Sequence, residues 1–172
     1  MNRRKLVAML VLGTLALTML WGCGGGGGGV ATPPLRGSSQ TTRSSFVNAD
    51  GSRRVVTHFE ARVNGEVDVQ MFRAGASPVF DPFVIVFRGN FDAGVIPPAN
   101  TVVASDDNSG GGRDAFAAFF ATDNQIYTVW FTTAGPADFG TFGFSILDGL
   151  PAAAATAPKP TAVPAADLSK KL

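Results

Sequence analysis

Residues 55–65 read Val-Val-Thr-His-Phe-Glu-Ala-Arg-Val-Asn-Gly and decide the fold class. Apolar or Thr side chains at every second position alternate with a second set that includes His58 and Glu60. This period of two is typical of a β-strand with one buried and one solvated face. Asn64-Gly65 then predicts a hairpin turn, because Asn-Gly suits the backbone of two-residue hairpin loops.

Further short apolar segments are separated by Gly, Pro, Asn and Asp. Residues 83–87, Phe-Val-Ile-Val-Phe, are apolar on both faces, which predicts a strand inside a sheet. Residues 66–73 alternate in two offset ways, so the sequence leaves open whether the Val67 set or the Phe72 set faces inward. The other predicted strands are 101–104, 115–121, 126–133 and 139–147. Seven strands without a helical period predict an all-β, single antiparallel sandwich or jelly-roll-like domain.

Composition divides the chain into four segments. All fourteen Phe residues lie between Phe46 and Phe144, so the folded domain is predicted over residues 46–148. The flanks are predicted to be a signal peptide at 1–22, a Gly/Ser/Thr/Pro-rich tether at 23–45 and a disordered Ala/Pro-rich tail at 149–172. The whole chain carries a net charge of +1, which argues against a nucleic-acid binder that relies on bulk charge.

The N-terminal segment predicts export. Three basic residues precede fifteen apolar residues, Leu6 to Leu20, a run shorter than a membrane span requires. Leu20-Trp21-Gly22-Cys23 resembles the lipobox of bacterial lipoproteins, which implies that Cys23 is acylated and anchors the chain to a membrane. A plain signal peptide with an incidental cysteine is the alternative. Gly24 lacks the acidic character of inner-membrane retention signals, which favours the outer membrane or cell surface.

The region from Asp81 onward resembles the bacterial pre-peptidase C-terminal (PPC) domain. The resemblance rests on four stretches in order, namely 81–86 (DPFVIV), 103–110 (VASDDNSG), 126–130 (IYTVW) and 140–146 (GTFGFSI). It implies a β-sandwich of the kind that accompanies exported enzymes, with some members binding calcium and others binding polymers. No protease domain is present in this sequence, so the resemblance implies a stand-alone module.

An acidic loop is the candidate metal site. Asp106-Asp107-Asn108 places carboxylate and amide oxygens, the ligands that calcium prefers, beside a glycine run. Asp81 and Asp114 complete the candidate calcium set if the resemblance gives the correct topology. An EF-hand is excluded, because the twelfth position of either register is alanine rather than glutamate. The alternative is that these aspartates cap a turn and bind nothing.

Catalytic signatures are sparse. The lone histidine, His58, is predicted to be a solvated strand residue, and no Gly-x-Ser-x-Gly motif is present. A hydrolase that uses two carboxylates stays open, since acidic residues are plentiful. Trp130 and Tyr127 are predicted to pack in the core rather than to form an exposed platform for carbohydrate or peptide. Arg53-Arg54 is predicted to be a solvated guard of a sheet edge.

These observations favour a lipid-anchored envelope protein whose β-sandwich is a non-catalytic binding or scaffolding module, stiffened by calcium. Its expected partners are the membrane, through acylated Cys23, and a surface protein or polysaccharide. A structural envelope or matrix component without a small ligand is a second hypothesis, and a carboxylate hydrolase is a third.

Overall fold

The structure, a computed structural model, describes residues 33–43, 45–74, 80–108, 110, 114–136, 138–150 and 165–172. These residues form nine strands, β1 Leu35–Thr41, β2 Phe46–Val47, β3 Arg53–Glu60, β4 Gly65–Arg73, β5 Pro82–Arg88, β6 Val102–Asp106, β7 Ala115–Ala121, β8 Ile126–Thr133 and β9 Gly140–Leu150. A single 3₁₀ turn at Ala99–Thr101 and the helix α1, Ala165–Lys171, complete the described elements.

Two sheets pack as a sandwich, which confirms the predicted all-β antiparallel class. The four-stranded sheet has the order β1-β9-β4-β7, and the five-stranded sheet has the order β2-β3-β8-β5-β6. Every strand pair is antiparallel. The alternating segments predicted from the sequence coincide with β3 to β9 to within a few residues, because each has at least one apolar face to bury.

The core between the two sheets settles the register of β4. Val67, Val69 and Met71 are fully buried against the facing sheet, so the alternate residues of β4 point away from the core. Phe72 belongs to the outward set and is 42% exposed. The sequence had left both registers open, because each offered apolar residues to one face.

The predicted hairpin at Asn64-Gly65 is wrong. β3 pairs with β2 and β8, whereas β4 pairs with β7 and β9, so this turn connects the two sheets. β8 therefore occupies one edge of β3, and β2 pairs with Arg53 and Arg54 on the other. The crossover is held by backbone bonds, from Ala61 N to Gln125 O (3.1 Å) and from Asn124 N to Ala61 O (2.9 Å).

Both predicted domain boundaries need correction. Residues 35–41 lie in the predicted tether but form β1, which pairs with β9 along its whole length. Residues 165–171 lie in the predicted disordered tail but form α1. Residues 1–32, which include the predicted signal peptide and Cys23, and residues 151–164 lie outside the described residues.

The five-stranded sheet is covered on its outer face as well. Phe83, Ile85, Phe87 and Trp130 form a second buried cluster there, against which Leu168 and Leu172 of the C-terminal segment pack. β5 is consequently buried on both faces, as its uninterrupted apolar run predicted. None of the helices in the described residues combines the length and the apolar character that crossing a membrane requires.

Candidate functional site

The outer face of the four-stranded sheet, here called the open face, carries exposed aromatic and polar side chains. Because alternate residues of β4 are buried, Glu66, Asp68, Gln70 and Phe72 point to this face. The pairing register brings Ala118 and Phe120 of β7 beside them on one side. Ser145 and Gly143 of β9 lie on the other side. β4, β7 and β9 thus give the open face a mixed aromatic and polar character.

The Phe72 ring lies against the sheet at a position where the neighbouring strand has a glycine. Gly143 lies directly opposite Phe72 in the β4–β9 register. A Cβ atom at position 143 would lie 2.1 Å from Cε2 of the Phe72 ring and 2.4 Å from Cζ. The ring therefore occupies the space that any other residue's side chain would take, and it lies over the strand. Only glycine permits this placement without displacing the ring.

A second exposed ring lies at the other end of the open face. Phe120 of the edge strand β7 is 72% exposed and lies opposite Glu66. Glu66 and Phe72 are six positions apart on β4, which corresponds to roughly 20 Å at the rise of a strand. The two aromatic side chains therefore bracket an elongated surface.

Polar groups occupy the space between the two rings. The Ser145 hydroxyl and the Gln70 side-chain oxygen are 3.3 Å apart in a hydrogen bond. Burial, and secondly the negative charge of Glu66, raises the pKa of Asp68. Gln70 and Asp68 offer amide and carboxylate groups to this surface, so a ligand rich in hydroxyl groups finds both donors and acceptors there.

The predicted calcium residues fall into two groups. Asp107 lines a cleft beside Phe83, whereas Asp114 lines a different cleft beside Phe72. Asp114 faces Arg73, with Oδ1 at 3.7 Å from the guanidinium Nε. Within the described residues, no group of three acidic, His or Cys side chains converges as a metal ligand set. The five predicted ligands therefore do not form one cluster.

The charges of Asp106 and Asp81 act on Asp107. Asp106 is buried, and its Oδ2 accepts a hydrogen bond from the backbone N–H of Phe116 at 2.8 Å. Burial raises the pKa of Asp107, the charges of Asp106 and Asp81 raise it further, and a hydrogen bond from Asn108 opposes the rise. Ionised Asp107 is therefore a source of instability in the folded state.

This position predicts a pH-dependent gain in stability. Since the folded pKa of Asp107 exceeds its ordinary value of 3.8, the carboxylate destabilises the fold above that range and has no effect when protonated in both states. We expect Asp107→Asn to raise the Tm at pH 7 and to lose this advantage as the pH falls toward 3. Thermal unfolding at both pH values measures the effect. The exposed Asp92 provides the control, Asp92→Asn, and equal shifts for the two variants would contradict the prediction.

Other sequence predictions have mixed outcomes. Trp130 and Tyr127 are fully buried, which confirms their assignment to the core. His58 is half-buried rather than solvated, and its Nε2 lies 2.7 Å from the Phe91 carbonyl oxygen. The assignment of Arg53-Arg54 as a solvated edge guard is wrong for Arg54, which is 2% exposed. β2 covers this side of β3, so the pair does not lie at a free edge.

Comparison with known proteins adds little to this geometry. No family model matches the chain, and no curated protein matches it. A solved β-1,3-glucan-binding CBM6 from Bacillus halodurans aligns with 69% of this chain and 98% of its own, at 13% identity and a TM-score of 0.38. This likeness is too distant to assign a ligand to the present chain.

Proposed function

We propose that the domain is a non-catalytic binding module and that its open face binds an extended polysaccharide chain. The observation that carries the proposal is the pair of exposed rings, Phe72 and Phe120, at opposite ends of one sheet face with polar side chains between them. Exposed apolar groups rimmed by polar residues are typical of interaction sites. Gly143, opposite Phe72, supports the proposal, because the absence of a side chain there lets the Phe72 ring lie over the strand without a ligand.

The chemistry of the open face suits a sugar polymer. The face of an aromatic ring is electron-rich, so it attracts the weakly positive C–H groups on the flat side of a sugar ring. Gln70 and Asp68 then offer hydrogen-bonding groups to the sugar hydroxyls. The spacing of roughly 20 Å between the rings favours a chain of several sugar units over a single sugar.

Loss of either ring is the test of this proposal. We expect the purified protein to be retained by at least one member of a panel of insoluble polysaccharides, such as β-1,3-glucan, cellulose, chitin and peptidoglycan. Phe72→Ala and Phe120→Ala should each weaken that binding about tenfold, or about 1.4 kcal/mol. Phe46 lies on the other sheet and is 48% exposed, so Phe46→Ala is a matched control that should bind like the wild type.

Two results would overturn the proposal. One is retention on no polysaccharide of the panel, and the other is equal binding by the wild type and both open-face variants. Release of soluble sugars that Asp68→Asn abolishes would instead establish the carboxylate hydrolase, since Asp68 is the open-face acid with the raised pKa.

We also propose that the module is exported, belongs with PPC-like domains and is anchored at the outer membrane or cell surface through acylated Cys23. The support is the sequence of residues 1–23 and the four PPC-like stretches. Fatty-acid labelling of the wild-type chain, absent in Cys23→Ser, tests the anchor.

We keep the prediction that calcium stabilises the domain. A cation beside Asp107 would relieve the charge repulsion there. Thermal unfolding of the wild type and Asp107→Asn in EDTA and in millimolar calcium tests it.

A further inference from the structure

The C-terminal segment inserts a lysine into the end of the sandwich. Lys171 is 2% exposed, and its ammonium lies 2.6 Å from Asp50 Oδ2, 3.1 Å from Ser52 Oγ and 3.1 Å from the Ala134 carbonyl oxygen. It also donates a hydrogen bond to the Thr133 carbonyl oxygen. A buried ammonium requires such partners, because its desolvation is otherwise costly.

The five residues at the C-terminus contact the domain through a defined pattern. Leu168 and Leu172 pack on the apolar cluster of the five-stranded sheet, on either side of Lys171 in the sequence. The ammonium of Lys171 lies 5.2 Å from the centre of the Phe83 ring, within the range of a cation–π interaction. The segment is therefore held by Leu168 and Lys171 of helix α1 and by Leu172, the residue directly after the helix, at positions i, i+3 and i+4.

The lysine-binding groups are positioned by bonds that do not involve the C-terminal segment. Asp50 Oδ1 accepts hydrogen bonds from the Ser52 backbone N–H (2.9 Å) and from its hydroxyl (2.6 Å). Asn48 Nδ2 donates to Ser52 Oγ at 2.8 Å. The Ala134 backbone N–H donates to the Asp81 carbonyl oxygen at 2.8 Å. These contacts do not depend on Lys171, so they help to position the acceptors that its ammonium uses.

The surroundings of the buried ammonium contain a second acidic side chain, Asp107. A cleft of about 250 Å³ adjoins the ammonium and is lined by Asp50, Asp107, Phe83, Ala134 and the two terminal lysines. Burial raises the pKa of Asp50, but hydrogen bonds from Lys171 and Ser52 outweigh this, and the net pKa lies below 3.8. Two carboxylates thus line this cleft together with Lys170 and Lys171.

We propose that this is a lysine-recognition site for a segment of another protein with leucine, lysine and leucine at positions i, i+3 and i+4, and that Leu168–Leu172 is its resident competitor. The sequence joins the resident segment to β9 through residues 151–164. A tethered ligand competes intramolecularly, at an effective concentration set by its linker. A partner must therefore displace it, and occupation of the site by the chain's own lysine lowers the apparent affinity for that partner.

The test uses a fluorescein-labelled synthetic peptide with the sequence of residues 161–172 and the full-length chain. By fluorescence anisotropy, we expect the Lys171→Ala chain to bind the peptide at least tenfold more tightly than the wild-type chain, because its own segment no longer competes. Asp50→Asn in the Lys171→Ala chain should weaken binding at least tenfold. Lys159→Ala removes the same charge from the chain outside the resident segment and is the matched control, which should behave as the wild type.

Several outcomes would overturn the proposal. The Lys171→Ala and wild-type chains could bind the peptide equally weakly, or a peptide with alanine in place of Lys171 could bind as well as the original. A wild-type dimer that disappears in Lys171→Ala would show that the segments of two copies exchange instead. If Asp50→Asn fails to fold by circular dichroism, Phe83→Leu in the same background takes its place, since it keeps apolar volume but removes the cation–π contact.

Discussion

Phe131→Ala is expected to lower the free energy of unfolding by about 3–5 kcal/mol, because it removes a large side chain from the centre of the sandwich. Phe131 is fully buried on β8, the middle strand of the five-stranded sheet. Its ring centre lies 4.9 Å from that of Phe144 and 5.5 Å from that of Phe142, both on β9 of the facing sheet. The substitution therefore leaves a cavity between the two sheets and removes two aromatic contacts.

Urea denaturation measures this loss directly. Phe120→Ala is the matched control, because Phe120 is 72% exposed and its removal should change the free energy of unfolding by no more than about 0.5 kcal/mol. A conservative change, Phe131→Leu, should cost less than Phe131→Ala because it fills part of the cavity. Equal losses for Phe131→Ala and Phe120→Ala would contradict the inter-sheet role of Phe131.

The strands that build this core are the ones that the sequence predicts well. β5 and β8 carry apolar residues on both faces, and β3 alternates, so burial itself produces the pattern that identifies them. β1 has no such pattern. Its sequence, LRGSSQT, buries only its two end residues and pairs with β9 through the backbone, so neither composition nor hydropathy distinguishes it from a tether.

The connections between strands are less predictable than the strands themselves. Asn64-Gly65 has the composition of a hairpin turn, yet it joins strands of different sheets. Local turn preference describes only a few residues, whereas the partners of β3 are chosen by burial across the whole sandwich. Helix α1 was missed for a related reason, since its seven residues are held by contacts of Leu168, Lys171 and Leu172 with distant parts of the chain.

The candidate sites, like the connections between strands, depend on contacts that the sequence alone does not show. Phe72 could be placed on the open face only after the register of β4 was known, because the sequence allows either face. The role of Gly143 could be recognised only from the structure, in which the Phe72 ring lies over it. The acidic loop was visible in the sequence, but the structure directs Asp114 toward Arg73 and Asp106 toward a backbone N–H. Spacing alone does not reveal such competing partners.

Arg54 is buried, although the Arg53-Arg54 pair in the sequence predicted a solvated side chain. Its guanidinium lies 4.0 Å from the centre of the Trp130 ring, beneath the residues that cover the outer face of the five-stranded sheet. Nη1 donates to the Val47 carbonyl oxygen (2.7 Å) and to Asn48 Oδ1 (2.8 Å), and Nη2 donates to the Ala93 carbonyl oxygen (3.0 Å). One side chain thus joins β2, β3 and the loop after β5.

Arg54→Ala is therefore expected to lower the free energy of unfolding by about 3–5 kcal/mol, since it leaves buried acceptors without their donor. Arg54→Lys keeps the charge but cannot reproduce the planar fork or the stacking on Trp130, so it should be destabilising too, though less so. Near-UV circular dichroism should change with either variant, because the environment of Trp130 changes.

The neighbouring residue, Arg53, provides the control for Arg54→Ala. Arg53 carries the same charge and is half-buried, and its Nη1 donates a hydrogen bond to the Ser45 carbonyl oxygen at 3.1 Å. Arg53→Ala should therefore cost about 1 kcal/mol. Urea denaturation of the two variants separates buried hydrogen bonding from the loss of a positive charge. If Arg53→Ala and Arg54→Ala destabilise the domain equally, charge alone accounts for the effect and Arg54 does not hold the outer layer in place.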